Sequence, residues 1–234
     1  MRTLVIIPAY NEAESILAVV RSVERAGYDY LVVNDGSTDA TEDVCRRNDL
    51  NMLSLPENLG IGGAVQAGHK YALEHGYDID VQFDGDGQHD ASCIDGLVAT
   101  IEQGADLVIG SRFVGETRGG FRSTAMRRMG IRWLSGCIKL FARANVADPT
   151  SGFRASGKRA IALFCREYPI DYPEPESIVV AVKRGLVVKE VSAIMHERAG
   201  GVSSIRPLSS VYYMVKVTLA IIIRGTSRGK RRAC

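Results

Sequence analysis

The chain of 234 residues contains no uninterrupted apolar stretch of the roughly 18 residues from which a membrane-spanning helix is read. It also lacks any Cys-x-x-Cys pair. Its five cysteines, Cys45, Cys93, Cys137, Cys165 and Cys234, are odd in number and widely spaced. That pattern argues against a zinc site and a disulfide framework, and fits a reducing compartment. Net charge is nearly absent: 29 basic and 27 acidic residues leave +2, which makes no general case for a nucleic-acid partner. The N-terminal apolar run ends at Pro8, too soon for the core of a signal peptide, so it reads as a first strand. No internal repeat or low-complexity linker is present.

What the chain does have is enough apolar residue, 46%, to bury a substantial core. It also has a regular alternation of short β-rich runs with helical patterns. Strands are predicted at Thr3–Ile7, Tyr30–Val33, Asn51–Leu55, Ile79–Phe83 and Asp106–Ile109. Helices are predicted over Glu12–Ala26, from Asp39, over Ile61–His75 and over Ala91–Gln103. Strands alternating with helices imply parallel βαβ units, an α/β sandwich, and ligands at the strand C-termini. The second half is less regular. A Gly- and Arg-rich loop over Ser111–Arg122 precedes a helix through Phe141. Turns follow at Asp148–Arg154 and Tyr172–Glu176, then a helix to Lys183, a strand over Val187–Met195, a polar loop to Arg206 and a final apolar helix over Leu208–Ile223. The expected organisation is one domain over residues 1–206 with a C-terminal helix and basic tail over 207–234.

The strongest chemical signal is Val81-Gln82-Phe83-Asp84-Gly85-Asp86-Gly87-Gln88. A strand that ends in two carboxylates one residue apart offers hard oxygen ligands at a sheet edge. Mg²⁺ and Mn²⁺ favour such ligands and share their coordination with substrate phosphates. Taken alone, the same residues also read as an exposed acidic turn. A calcium loop is excluded, because His89 stands where that loop needs glycine. The Gly60–Gly68 stretch fails both common phosphate-loop patterns: Val65 replaces the last glycine of one, and His69 and Lys70 break the other. Those glycines suit either anion binding at a helix N-terminus or close helix–sheet packing. His75 ends a helix, an ordinary place for a cation, and Trp133, Met126 and Met129 fit helix packing better than a sugar platform.

Five segments taken together form a more specific pattern. Ile7-Pro8-Ala9-Tyr10-Asn11-Glu12, Asn34-Asp35-Gly36-Ser37-Thr38-Asp39, Asn58-Leu59-Gly60 with Gly62-Gly63-Ala64, Asp84 to His89, and Asp148 to Arg154 resemble, in order, the family 2 inverting glycosyltransferases. Within that family the sequence is most similar to dolichyl- or polyprenyl-phosphate mannose synthases. The resemblance implies a GT-A fold, a Rossmann-like α/β sandwich with a mostly parallel central sheet, and a UDP- or GDP-sugar donor. It also implies that Pro8, Ala9, Tyr10, Glu12, Asp35 and Gly60 line the nucleotide pocket. Asp84, Asp86 and Gln88 would hold a Mg²⁺ or Mn²⁺ ion, and Arg112 would add a cation to the pyrophosphate. Asp148, Glu174 and Glu176 stand on the acceptor side as candidate general bases. An acceptor hydroxyl needs such a base and an acceptor phosphate does not, so the sequence leaves the base open.

The resemblance also implies an acceptor presented at a membrane, polyprenyl phosphate or a lipid-linked glycan. Val211–Ile223 carries one charge, Lys216, and is followed by Arg224, Arg228, Lys230, Arg231 and Arg232 with no acidic residue. That suits an interfacial helix at an anionic cytoplasmic leaflet, hence a peripheral protein of the inner face. Packing on the core or in a homodimer explains the same residues. Helical spacing predicts that Val211, Val215, Leu219 and Ile222 are the buried side.

Overall fold

The computed structural model describes residues 1–115, 125–196 and 207–226. The loop residues 116–122, the polar loop 197–206 and the basic residues from Arg228 onward lie outside the described residues. Seven strands form one sheet: β1 (Thr3–Ala9), β2 (Asp29–Asn34), β3 (Met52–Ser54), β4 (Ile79–Gln82), β5 (Leu107–Ser111), β6 (Arg154–Gly157) and β7 (Val188–Ser192). Their spatial order is β3-β2-β1-β4-β6-β5-β7. β6 runs antiparallel to both neighbours and the other adjacent pairs are parallel. The expected α/β class with a mostly parallel sheet is what is found. β1, buried along its whole length, is the axis of the N-terminal half. The chain steps outward to β2 and β3 and then returns to β4 on the other side of β1. That reversal opens a crevice beyond the carboxyl ends of β1 and β4.

Helices cover both faces. α1 (Ile16–Arg25) buries Ile16, Val19, Val20 and Val23, the one-sided spacing of an amphipathic helix. With α2 (Thr41–Arg47) and α4 (Ile94–Glu102) it encloses a core containing Val5, Ile7, Val81, Phe83 and Phe153. α3 (Gly60–Glu74) lies on the other face with Leu4, Ile6, Leu31 and Val33. Two of its glycines serve close packing: a Cβ on Gly68 would lie 2.4 Å from Ile6 Cγ2, and one on Gly62 2.3 Å from the carbonyl oxygen of Ile170. His75 caps α3, its Nδ1 2.9 Å from the carbonyl of Tyr71.

The second half departs from the sequence expectation in three places. The turn predicted to end at Arg154 leads directly into β6 and then α6 (Lys158–Phe164), neither of which was expected. β6 has only four residues and no alternating pattern; the ladders of β4 and β5 on its two sides hold it. The turn predicted over Tyr172–Glu176 is instead the start of α7 (Pro173–Lys183). Prolines are tolerated in a first helical turn, where their missing N–H has no intrahelical partner to lose. Finally, α8 (Pro207–Thr226) turns a different side inward. Val217 and Ile221 are buried with Leu134, Ile138, Ile178 and Val179, while Val215, Leu219 and Ile223 are exposed. α8 thereby completes a core with α5 (Ala125–Ala142) and α7.

Gly68→Ala should destabilise the fold by about 1–3 kcal/mol through overpacking against Ile6, outweighing the better helix propensity of alanine. Urea denaturation checks the sign.

Candidate nucleotide and metal site

The carboxyl ends of the parallel strands gather the residues singled out by sequence. Tyr10 and Glu12 follow β1, Asp35 follows β2, Gly60 opens α3 after β3, and Asp84 and Asp86 follow β4. Arg112 follows β5, and Asp148 lies in the turn that enters β6. The loops after β1 and β2 are laced together. Asn11, at a φ of 57°, accepts at Oδ1 from the amides of Thr38 (2.8 Å) and Asp39 (3.2 Å). Asp39 accepts from Ala13 N at 3.2 Å and from Thr41 N at 2.9 Å. Burial works against the Asp39 carboxylate, but these donors together hold it below the usual range. Thr41 Oγ1 in turn accepts from Glu12 N at 2.9 Å.

Asp35 is almost fully buried at the floor of this pocket. Its Oδ1 accepts from Leu59 N at 2.7 Å, at the entry to α3. Burial raises the Asp35 pKa, and the amides of Leu59 and Gly60 only partly offset it. The same floor is tight at Gly36, which has a φ of 63° and stands where a Cβ would meet Asn58 N at 2.7 Å. A residue with a side chain would push the β2 turn off the loop that precedes α3.

The carboxylate pair sits beside the β1 turn. A Cβ on Gly85 would lie 3.0 Å from the Pro8 carbonyl oxygen and 3.6 Å from Glu12 Cγ. Asp84 Oδ2 accepts from His89 Nε2 at 3.0 Å, and His89 is itself buried, stacked on Phe153 at 5.0 Å between ring centres. Burial works against the Asp84 charge, but His89, Gln82 and the more distant Arg154 outweigh it and hold the carboxyl below its ordinary range. Asp86 Oδ1 accepts from Gln88 N at 3.0 Å, and the Gln88 amide reaches toward the His196 carbonyl at 3.5 Å. A bridge between His89 and Met195 ties the end of the β7 segment to this loop.

Among the described residues, no group of three or more His, Cys, Asp and Glu converges as a complete metal cage. Two carboxylates at an open strand end nonetheless suit Mg²⁺ or Mn²⁺, which take few protein ligands and complete their shell with phosphate oxygens and water. The donor set therefore fits such an ion.

On the acceptor side the geometry redistributes the expected roles. Arg112 and the fully buried Asp148 form a two-point pair, Nε to Oδ2 and Nη2 to Oδ1, each 2.6 Å. The Arg112 amide adds a third donor to Asp148 at 3.1 Å, and Nη2 also reaches Thr150 Oγ1 at 2.9 Å. Asp148 is thus committed to holding Arg112. Glu176 is paired with Arg224 of α8. Glu174 alone of the three candidate bases is outside any ion pair among the described residues, and burial raises its pKa, with Arg154 working the other way. Arg154 itself is buried and donates to the carbonyls of Ser151 (2.6 Å), Glu174 (2.6 Å) and Pro149 (2.9 Å) and to Ser177 Oγ (2.8 Å).

Three contributors escaped the sequence reading: His89 as a donor to Asp84, Asn11 as the lace between loops, and Gly152. A Cβ on Gly152 would lie 2.9 Å from both Asp84 carboxylate oxygens. The available signal was Phe83 and Phe153 flanking polar residues at both ends of the site.

Comparison with known proteins agrees with this architecture. The family model described as glycosyl transferase family 2 matches residues 4–162. The chain belongs to the family 2 glycosyltransferases, and it is a glycosyltransferase of the GT-A fold. It is 30% identical to the polyprenol monophosphomannose synthase of Mycolicibacterium smegmatis, over 86% of this chain and 80% of that one. It is 32% identical to a UDP-N-acetylglucosamine–dolichyl-phosphate N-acetylglucosaminyltransferase of Methanococcus voltae, over 80% and 82%. Among solved structures, glucosyl-3-phosphoglycerate synthase of Mycobacterium tuberculosis, in complex with Mn²⁺, UDP and phosphoglyceric acid, superposes with a TM-score of 0.72. Identity there is 20%, over 96% of this chain and 78% of that one.

Replacing Arg112 by Ala strands the Asp148 carboxylate in the interior. The expected cost is about 3–5 kcal/mol, read as a lowered thermal midpoint before any assay of turnover.

Proposed function

We propose that this glycosyltransferase moves a hexosyl group, with inversion, from a UDP- or GDP-sugar to polyprenyl phosphate held at the inner face of a membrane. The observation that carries the acceptor is a surface. α5 and α8 pack side by side, Trp133 Nε1 donating to Thr218 Oγ1 at 3.1 Å, and expose a common apolar stripe. Met126, Met129, Trp133 and Leu140 of α5 and Tyr212, Val215, Leu219 and Ile223 of α8 are 53–77% exposed. Trp133 and the two methionines, expected to pack inward, face out. Neither helix carries an acidic residue, and Arg128, Arg132 and Lys139 are exposed on α5. Arg127, next to Met126, lies in the field of Arg112 and Asp148. Apolar area flanked by cations is the surface that anionic lipid attracts. Among the described residues no helix is long and apolar enough to cross a membrane. The names of the two enzymes acting on polyprenol and dolichyl phosphate support the same acceptor class.

In this reading the donor base rests in the Asp35 pocket, with Pro8, Ala9, Tyr10, Glu12 and Gly60 around the nucleotide. Asp84 and Asp86, with Gln88 beside them, hold the divalent ion, which when bound offsets the negative charge growing on the departing nucleoside diphosphate. In the same reading Arg112, oriented by Asp148, adds its positive charge to the pyrophosphate. A phosphate acceptor is already an anion, which agrees with two of the three candidate bases being tied up by arginines. Glu174 favours a second reading, transfer to the hydroxyl of a lipid-linked glycan, because it is the one candidate base outside any ion pair among the described residues and burial raises its pKa. A homodimer through the α5–α8 face would compete with the membrane for the same surface.

Asp86→Ala should abolish turnover and the metal-dependent part of UDP or GDP binding while leaving circular dichroism unchanged. Full activity in EDTA would remove the metal from the scheme. The full-length protein should sediment with phosphatidylglycerol vesicles at low salt, and Trp133→Ser with Leu219→Ser should release it without changing donor hydrolysis. Sedimentation equal to wild type in the double variant, or a dimer in its place, would assign the stripe elsewhere. These exposed positions test the surface cleanly, whereas deletion of α8 would uncover Val217 and Ile221.

A further inference from the structure

Side chains alternate along β4. Ile79, Val81 and Phe83 enter the core shared with α1 and α4. Asp80, Gln82 and Asp84 therefore line the opposite side, under α3 and the 148–152 turn. This polar row is unusual for an interior strand, because burial of unpaired polar groups is costly. Asp80 and His69 of α3 answer each other, Oδ2 to Nδ1 at 2.6 Å, with both side chains buried. Gln82 is equally buried, opposite Arg154 of β6 in the ladder, and its Nε2 has no hydrogen-bond partner. Asp80 Oδ1 and His69 Nε2 are the other two buried polar atoms without partners among the described residues.

Gly152 locates where the Gln82 amide is aimed. The Cβ position on Gly152 is 3.2 Å from Gln82 Nε2 and 2.9 Å from each Asp84 oxygen. The amide, the carboxylate and the glycine converge on one point with no room for a side chain. His89 grips the carboxylate through Oδ2. A donor on a second side would fix the rotation of the carboxylate plane as well as its place.

We infer that Gln82 is a positioning residue, whose unpartnered Nε2 is placed to donate to the Asp84 carboxylate and so to orient it when the divalent cation binds. The inference rests on the metal reading of Asp84 and Asp86 given above. An amide suits the task chemically. It supplies an N–H without charge, whereas a lysine or arginine would neutralise the carboxylate and compete with the cation, and a glutamate would repel it. Outer hydrogen bonds of this kind set metal affinity, and their loss weakens it by about 10–100-fold.

The test is direct titration of metal-free protein with Mn²⁺, followed by the electron paramagnetic resonance of the free ion, in the presence of UDP and separately GDP. Gln82→Met keeps length and volume but removes the donor. It should raise the Mn²⁺ Kd about 10–100-fold, with Gln82→Glu also weakened and nucleotide binding in EDTA unchanged. A Gln82→Met protein that loses thermal stability yet binds Mn²⁺ like wild type would reduce Gln82 to a core residue and overturn the inference. Gln82→Asn, which withdraws the amide by one methylene, substitutes where Gln82→Met does not fold, with the same two outcomes. Asp86→Ala is run beside them. If it loses Mn²⁺ while the Gln82 variants do not, the positioning role fails and the metal reading stands. If no variant changes Mn²⁺ binding, the metal reading itself fails.

Discussion

A single buried guanidinium ties the 148–152 turn to α7. Arg154 opens the one reversed strand and spends its donors on the carbonyls of Pro149, Ser151 and Glu174 and on Ser177 Oγ. These acceptors belong to the turn that carries Asp148 and to the first turn of α7. Burial lowers the Arg154 pKa, the sign of a cation held in place against the cost of losing water. Neutral carbonyl dipoles solvate it without cancelling its charge, so some of that charge still reaches Asp84. Without this hub the 148–152 turn and α7 would lose their common anchor, and Gly152 would no longer lie against the Asp84 carboxylate.

Around that hub further hydrogen bonds hold the loops at the strand ends. Glu190 of β7 accepts the amides of Ala147 (2.7 Å) and Asp148 (2.9 Å), which places Asp148 before it meets Arg112. The loops after β1 and β2 are held by Asn11 and Asp39, whose side chains accept from the amides of Thr38, Asp39 and Ala13. Both devices put charged groups on loops but fix those loops to strand ends. Rigid strand ends with variable loops are how an α/β sheet presents chemistry at one edge. The apolar stripe of α5 and α8 lies outside this frame, carried by helices whose inner sides are fully used in a core.

Much of this was legible in the amino-acid order. Alternating strands and helices, the turn clusters after β1 and β2, and the two carboxylates at the end of β4 are local signals, written in periods of two and 3.6 residues and in turn chemistry. They determined the α/β class and the residues that gather at one edge of the sheet. The same signals misled where local preference is weak. Tyr172–Glu176 reads as a turn because of its two prolines, yet a first helical turn accepts them. α8 is apolar on most sides, so periodicity alone could not select Val217 and Ile221 over Val215 and Leu219 as the buried pair.

Tertiary structure alone decided the rest. β6 is four residues without a strand pattern and exists because β4 and β5 flank it with ladders on both sides. Asp148 meets Arg112 across 36 residues of chain, and Gln82, Gly152 and Asp84 converge from two different strand ends. The sequence by itself determined which groups are chemically able to bind a nucleotide and a cation. Which of them face one another depends on contacts between residues far apart in the chain, and no local period records those.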